Sequence, residues 1–114
     1  MPGVSIHVVD VSRGLVATGL RVELCDSTGR GIADGLVNAN GVLAAGALNA
    51  TFAAGYYVAR FHVADYYRDA GVPLPAVPFL DIVDYRFAVS DPMQHYHLPF
   101  KMTPWGYSCF RGGA

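Results

Sequence analysis

The chain has 114 residues, which is the size of a single domain. Hydrophobic residues make up 53% of it and charged residues only 15%, an apolar balance for a small protein that stands alone in solution. No apolar run approaches the roughly 18 residues of a membrane-spanning helix, so we expect large subunit interfaces and no membrane segment. The net charge is -1 and the basic residues are scattered singly, which disfavours nucleic-acid binding.

Cysteine usage and the start of the chain bear on location and cofactors. Cys25 and Cys109 lie far apart in the sequence and are too few for a disulfide framework or a zinc site. The opening residues lack the basic and apolar regions of a secretory signal. We therefore expect a cytoplasmic protein that uses no cofactor and no metal.

Short stretches rich in valine, aromatic residues and alternating polarity predict strands. The first part of the chain contains four of them: Val4–Asp10, Leu20–Cys25, Gly31–Val37 and Gly55–Val63. Two turn clusters separate these strands, Asp26–Gly29 and Asn38–Gly41. The Asn-Gly pair in the second cluster tolerates the positive φ of a tight turn.

The pattern changes after residue 63. Residues 64–71 lack alternation and end on glycine, which predicts a short helix with Gly71 as its C′ residue. Pro73, Pro75 and Pro78 exclude regular structure from the next segment. Two long strands are predicted to follow and to pair with each other through residues 90–92: Ile82–Val89 and Met93–Met102. Residues 1–114 are thus predicted to form one all-β domain, a sandwich or barrel with one short helix.

All four histidines lie within predicted strands, and three of them are candidates for chemistry. By the period of two, His7 shares a face with Ser5 and Val9, while His95 and His97 share one face of the last strand. Imidazole is the natural acid and base near neutral pH, so this pattern is compatible with a site that activates a water against a carbonyl. From these residues alone, exposed or hydrogen-bonded strand histidines are the favoured interpretation, and no spacing demands a histidine-only metal site.

Four other residues are weaker candidates. Arg111 could clamp an anionic ligand through its planar fork or form a surface ion pair, and the two are equally compatible with the sequence. Cys109 is a nucleophile only if a histidine lies beside it, and an inert buried thiol is favoured. Ser108 has no Gly-x-Ser-x-Gly context. His62 carries the weakest functional signal of the four histidines.

The chain resembles the 5-hydroxyisourate hydrolases, the transthyretin-related enzymes of purine breakdown, over essentially its whole length. The opening Ser-Ile-His-Val-Val-Asp, the Tyr66-Tyr67 pair before a proline-rich stretch, and Tyr85-Arg86-Phe87 are similar to that family. The closing segments also resemble it, in order and spacing: His95–Phe100, Pro104–Ser108 and Phe110–Gly112. The resemblance implies a two-sheet transthyretin-like β-sandwich with one short helix. It also implies a homotetramer, built as a dimer of dimers, with its sites between the dimers.

Members of that family add water to a ring carbonyl of a strained cyclic ureide and so open the ring. Their catalytic set is two histidines, an arginine and a C-terminal serine. The resemblance places the histidines at His7 and His97. The arginine that follows the turn glycine is Val42 here, and Gly113 stands where the closing serine would be. Arg111 belongs to the same closing segment, and we expect Val42, Arg111 and Gly113 to line the substrate site.

The loss of two of four groups bears on the activity. Removing one donor that stabilises developing negative charge commonly costs about 10²–10³ in rate. Because both histidines remain, the sequence predicts an acid/base hydrolase of a small cyclic amide or ureide whose substrate could be shifted. Three alternatives stay open: a cyclase, isomerase or lyase on another cyclic metabolite, a non-catalytic carrier of a small ligand, and an interaction domain with a vestigial site.

Overall fold

The computed structural model describes residues 2–113. It contains eight strands in that range: β1 Gly3–Asp10, β2 Leu15–Val16, β3 Arg21–Asp26, β4 Gly31–Leu36, β5 Gly55–His62, β6 Ile82–Val89, β7 His95–Thr103 and β8 Gly106–Cys109. A helix, α1, spans Val63–Asp69, and a single 3-10 turn spans Gly46–Asn49. Neither helical segment within residues 2–113 is long and apolar enough to cross a membrane.

The strands form two four-stranded sheets that pack face to face. The first sheet has the order β2-β1-β7-β8, and the second has the order β4-β3-β5-β6. β1 and β7 run parallel, whereas every other pair is antiparallel. The prediction of an all-β two-sheet sandwich with one short helix is confirmed.

The core lies between the sheets and is filled by alternate residues of each strand. On β1, Val4, Ile6 and Val8 are at most 2% exposed. The rings of Phe61 on β5 and Phe100 on β7 stack across the sandwich with centroids 3.8 Å apart. Because side chains alternate across a strand, the intervening residues of β1 and β7 must face away from this core.

The helix end follows the predicted pattern. Gly71 has a φ of +79° and its N–H donates to the Arg68 carbonyl, while the N–H of Val72 donates to the Tyr67 carbonyl. These two bonds are those of a Schellman motif, which requires the left-handed conformation that glycine adopts without strain. The prediction of Gly71 as the C′ residue is confirmed, and the helix itself begins one residue earlier than expected.

A buried carboxylate ties this helix to the first sheet. Asp10, at the end of β1, is fully buried. It accepts hydrogen bonds from Tyr67 at 2.7 Å, Tyr66 at 3.1 Å and Ser12 at 2.6 Å, and Arg13 lies 3.9 Å away. A buried charge of this kind is tolerated only with such partners. These contacts hold the C-terminal end of β1 in place, and β1 is the strand that carries His7.

The predicted pairing of the last two long strands is wrong. β6 pairs with β5 in the second sheet, and β7 pairs with β1 and β8 in the first. The connection crosses the end of the sandwich, where the Tyr96 hydroxyl accepts the backbone N–H groups of Ser90 and Asp91. These bonds satisfy the backbone of a crossover, and β7 consequently begins at His95 and not at Met93.

Candidate active site

Three histidines and one serine meet on the outward face of the first sheet. In the parallel register, Ser5 of β1 lies opposite His97 of β7, and Gly3 lies opposite His95. The Ser5 Oγ lies 2.8 Å from His95 Nε2 and 2.6 Å from His97 Nδ1. His7 is two residues further along the same face, and all four side chains are half-buried. The faces predicted from alternation are confirmed.

Val42 lies directly beside His7. The two residues form an antiparallel bridge, so their side chains leave the backbone on the same side. The turn at residues 38–41 makes this possible, because the Asn38 side-chain oxygen accepts the N–H groups of Asn40 and Val42. The backbone then docks on β1 through a bond from the Val8 N–H to the Gly41 carbonyl at 2.8 Å. An apolar side chain therefore flanks the imidazole of His7.

Gly41 has to be glycine for two reasons. Its φ is +81°, and a Cβ built on it would lie 2.9 Å from the His7 Nε2 and 2.8 Å from a Val16 methyl. Ordinary contacts between such atoms are about 3.5–4.0 Å. The turn predicted at residues 38–41 is thus present, and its close approach holds the His7 ring in place.

The C-terminal segment that follows β8, residues 110–113, is called the tail, and it covers His97. Gly112 bridges His97, and the Gly112 N–H donates to the His97 carbonyl at 2.8 Å. A Cβ on Gly112 would lie 2.9 Å from the His97 Cδ2 and 3.1 Å from the Pro99 ring. Gly113 differs, because nothing lies within 4 Å of the position where its Cβ would stand. A side chain larger than glycine would therefore have room at residue 113, which follows the residue that bridges His97.

The electrostatics of the site favour a neutral His97. Burial lowers the pKa of His97 below its ordinary value of 6.5, and the neighbouring imidazoles of His7 and His95 lower it further. At neutral pH the imidazole is therefore uncharged and one of its ring nitrogens carries a lone pair. Since the Nδ1 faces Ser5, the Nε2 is the nitrogen available to a substrate or a water.

Arg111, the candidate arginine, has its guanidinium group held by residues 94–96. The guanidinium of Arg111 lies over the Tyr96 ring at 4.1 Å from its centroid. It also donates to the Gln94 side-chain oxygen at 3.1 Å and to the His95 carbonyl at 3.2 Å. These contacts hold the tail against β7. In this arrangement Arg111 fixes the segment that carries Gly112 and Gly113, and its role towards a substrate stays a prediction.

Two other arginines do not approach the histidine face. Arg21 forms a paired hydrogen bond with Asp34, at 3.0 and 2.8 Å, on the second sheet. Arg60 donates to Asp84 at 2.8 Å on the same sheet. Neither guanidinium supplies the positive charge that the family arginine would bring to the place of Val42.

His62 and Cys109 also lie outside the site. His62 is 8% exposed and hydrogen-bonds Glu23 on the second sheet. Burial raises the pKa of the Cys109 thiol to about 11, although hydrogen bonds from Phe110 and Tyr85 oppose that rise. The thiol is therefore protonated at neutral pH, and the favoured interpretation of an inert cysteine agrees with this environment.

An apolar hollow adjoins the serine and the valine of the site. It has a volume of about 450 Å³ and is lined by Val4, Ser5, Asn49 and residues 42–46 and 48. A slightly larger hollow, of about 510 Å³, lies around Glu23, Cys25 and Arg60 on the second sheet, whereas His7, His95 and His97 are on the first. The smaller hollow is the one that belongs to the site, because two of its lining residues touch the histidines: Ser5 bonds His97 and Val42 bridges His7. Within residues 2–113, no cluster of three or more His, Cys, Asp or Glu side chains could hold a metal ion.

Ser5 is the functional candidate that the sequence analysis missed. Its alternation with His7 was visible, but its contact with His97 depends on a parallel register between segments about 90 residues apart. The bulky neighbours Tyr96 and Leu98, which face the core, indicate only that His95 and His97 face outward.

Comparisons with known proteins show which family and which folds the chain is similar to. The model of the HIUase/Transthyretin family matches residues 4–112. A 5-hydroxyisourate hydrolase of Deinococcus radiodurans is 42% identical over 115 residues, which cover 97% of this chain and 96% of the relative. The structure of Klebsiella pneumoniae 5-hydroxyisourate hydrolase superposes with a TM-score of 0.84 at 29% identity and covers 99% of this chain and all of that one.

A second solved structure is longer than this chain. The crystal structure of (S)-allantoin synthase superposes with a TM-score of 0.89 at 29% identity and covers 97% of this chain. The match takes up only 43% of the synthase, so this chain spans less than half of its length.

Proposed function

Since the chain belongs to the HIUase/Transthyretin family, we propose that it is a hydrolase of the 5-hydroxyisourate type. In this proposal it opens a small cyclic ureide by adding water to a ring carbonyl. The observation that carries the proposal is the position of His7 and His97 on one outward face, with His97 held through its Nδ1 by Ser5.

The two histidines have different environments, and these assign their roles. Because the pKa of His97 is lowered by burial and by its neighbouring imidazoles, we assign it the role of base towards the attacking water. His7 then supplies the proton that the opening ring nitrogen requires. The Cα atoms of the two residues are about 8 Å apart by strand geometry, a separation that leaves room for a substrate ring between the side chains.

Val42 changes what the site offers the substrate. An aliphatic side chain beside His7 cannot donate hydrogen bonds to ureide oxygens or neutralise a developing negative charge. We therefore propose that turnover of 5-hydroxyisourate is slower than in an enzyme with an arginine there, by about 10²–10³. Gly113 and Arg111 remain the proposed tail contacts to the substrate.

The apolar hollow favours a second candidate function. Residues 42–46, which line it, contribute only aliphatic side chains and a glycine, and such a surface suits a less polar ring than a ureide. The chain would then act on another cyclic metabolite as a cyclase, isomerase or lyase, or would carry a small ligand without turnover. Calorimetric binding of a small apolar ring compound without any turnover of hydroxyisourate would favour this candidate.

We also propose a cytoplasmic homotetramer, a dimer of dimers. In the described part of the chain, β8 forms one edge of the first sheet and β6 one edge of the second, and such edges template association with another copy. Large apolar side chains are exposed near them, including Phe79, Trp105 and Tyr107. Light scattering tests the assembly, since four chains of 12.2 kDa have a mass of about 49 kDa. The unbonded Cys25 and Cys109 suit a reducing compartment.

The test of the hydrolase proposal is an ultraviolet time course of freshly generated 5-hydroxyisourate with the purified protein. Decay faster than in buffer is the expected result. Decay at the rate of buffer would contradict the proposal and would direct attention to the second candidate.

A further inference from the structure

The hydroxyl of Ser5 bridges two imidazoles. Its Oγ lies 2.6 Å from the Nδ1 of His97 and 2.8 Å from the Nε2 of His95, both within hydrogen-bond range. The bridge is set by the strand register, in which β1 places Ser5 opposite His97 and within reach of the residue two positions earlier on β7. The three side chains are thus connected by hydrogen bonds into one network centred on Ser5.

Within residues 2–113 the Ser5 hydroxyl has only the two imidazoles as hydrogen-bond partners, so two arrangements use its single proton within the bridge. In one, the His97 Nδ1–H donates to Ser5 and Ser5 donates to the His95 Nε2, which leaves the His97 Nε2 with a lone pair. In the other, the His95 Nε2–H donates to Ser5 and Ser5 donates to the His97 Nδ1, which leaves the proton on the His97 Nε2. The tautomer of His97 is therefore tied to that of His95.

We propose that Ser5 and His95 are positioning residues that set the tautomer of His97 and relay its proton away from the site. The inference rests on the proposed function, in which His97 is the base. When the His97 Nε2 takes a proton from water, the Nδ1 proton passes to the Ser5 oxygen and the Ser5 proton passes to the His95 Nε2. His95, which is partly exposed, then releases one proton from its Nδ1 to solvent, so that one proton enters the hydrogen-bonded network and one leaves it.

The surroundings of His97 leave Ser5 as its polar side-chain partner. On β1 it faces Ser5 and His7, on its own strand it faces His95 and Pro99, and the tail covers it with the backbone of Gly112. The nearby cations are held elsewhere, Lys101 over the Phe110 ring and Arg111 over the Tyr96 ring. Since the lowered pKa of His97 makes the neutral ring the working form, its tautomer decides whether the Nε2 acts as base or acid.

Three variants test the relay: Ser5→Ala removes the bridge, Ser5→Thr keeps a hydroxyl, and Ser27→Ala removes an exposed serine in the turn between β3 and β4. The readouts are the ¹⁵N chemical shifts of the His97 ring, kcat and KM for hydroxyisourate against pH, and the solvent isotope effect. Ser5→Ala should lower kcat by about 10-fold to 100-fold with a smaller change in KM. It should also move the His97 ¹⁵N shifts and reduce the isotope effect to that of a single proton. Ser5→Thr should restore kcat to within about threefold, and Ser27→Ala should match the wild type.

The inference is overturned if Ser5→Ala leaves both kcat and the His97 ¹⁵N shifts unchanged. It is also overturned if kcat falls while the shifts and the pH profile stay as in the wild type, because that pattern marks a merely structural serine. Should the wild type fail to hydrolyse hydroxyisourate, the proposed function falls, and the ¹⁵N shifts still decide whether Ser5 controls the tautomer of His97.

Discussion

Gly112 should be indispensable to the geometry of His97. A Cβ at this position would lie 2.9 Å from the His97 Cδ2 and 3.1 and 3.2 Å from two carbons of Pro99. Since carbon atoms pack best at about 3.5–4.0 Å, the imidazole contact is short by about 0.6 Å. Pro99 is fixed within β7, so either the His97 ring or the tail has to move.

The expected effect of Gly112→Ala follows from that displacement. Misplacing a catalytic group by about 1 Å can cost on the order of 10²-fold in rate, so a shift of about 0.6 Å should lower kcat by about 10-fold to 100-fold. The added methyl overpacks a single contact, and the free energy of unfolding should fall by about 1–3 kcal/mol. Both quantities can be measured on one preparation, by the decay of hydroxyisourate absorbance and by urea unfolding.

Gly31→Ala is the matched control. It adds the same methyl on β4 of the second sheet, where nothing lies within 4 Å of the added carbon. This variant should retain the kcat and the stability of the wild type. The reasoning is refuted if Gly112→Ala turns over hydroxyisourate as fast as the wild type, or if Gly31→Ala loses as much activity as Gly112→Ala.

The remaining predictions concern the substrate site, the thiol and the buried carboxylate. Val42→Arg combined with Gly113→Ser should raise kcat/KM for hydroxyisourate by about 10²-fold, because it adds donors beside His7 and on the open side of the tail. At pH 8 the thiolate fraction of Cys109 should be about 100-fold below that of a thiol of pKa 9, since burial raises its pKa to about 11, and its reaction with iodoacetamide should be about 10-fold or more slower. Tyr67→Phe should lower the free energy of unfolding by about 1–3 kcal/mol at pH 7, because Asp10 loses a 2.7 Å hydrogen bond. Burial also raises the pKa of Tyr67, so stability should fall as the pH rises above 10, where the unfolded tyrosine ionises, and the phenylalanine variant should fall less steeply.

Each of these has a result that would count against it. A double variant at residues 42 and 113 that is folded but no faster than the wild type would mean that the site does not bind hydroxyisourate in the family manner. Labelling of a Cys25→Ser variant, which isolates Cys109, at the rate of a free thiol would contradict its burial. If Tyr67→Phe has the same free energy of unfolding in urea as the wild type, the hydrogen bonds to Asp10 contribute little to stability.

Local pattern was enough to predict most of the strands and the faces of the histidines. The alternation around His7 and His97 is visible because side chains of a strand point to opposite sides, whatever the strand pairs with. The glycine of the Schellman motif at Gly71 is equally local, since it depends on a few backbone bonds near the end of α1.

The choice of partner strand does not depend on local sequence, and the predicted pairing of the last two long strands was therefore wrong. A short connection such as residues 90–94 can close a hairpin or cross between sheets, and the bonds from its backbone to the Tyr96 hydroxyl decide in favour of the crossover. The short strands β2 and β8 were missed because two to four residues carry too little pattern. The link from Ser5 to His97 likewise required the parallel register of β1 and β7.

In the candidate site, the family resemblance indicated which positions matter, and the structure showed where those positions lie. The resemblance placed the missing arginine at Val42, and the structure puts that residue beside His7. It placed the missing serine at Gly113, which follows the bridge between Gly112 and His97. Where Arg111 would lie could not be read from the sequence, because its stacking on Tyr96 depends on how the tail folds back over β7.

The central claim is that His7 and His97 together open a cyclic ureide, and one measurement tests it most directly. Freshly generated 5-hydroxyisourate is mixed with the wild type, His7→Ala or His97→Ala, each shown to be folded, and its ultraviolet absorbance is followed. The account predicts accelerated decay with the wild type and decay at the rate of buffer with either variant. Wild-type decay at the rate of buffer, or full activity in either folded variant, would contradict it.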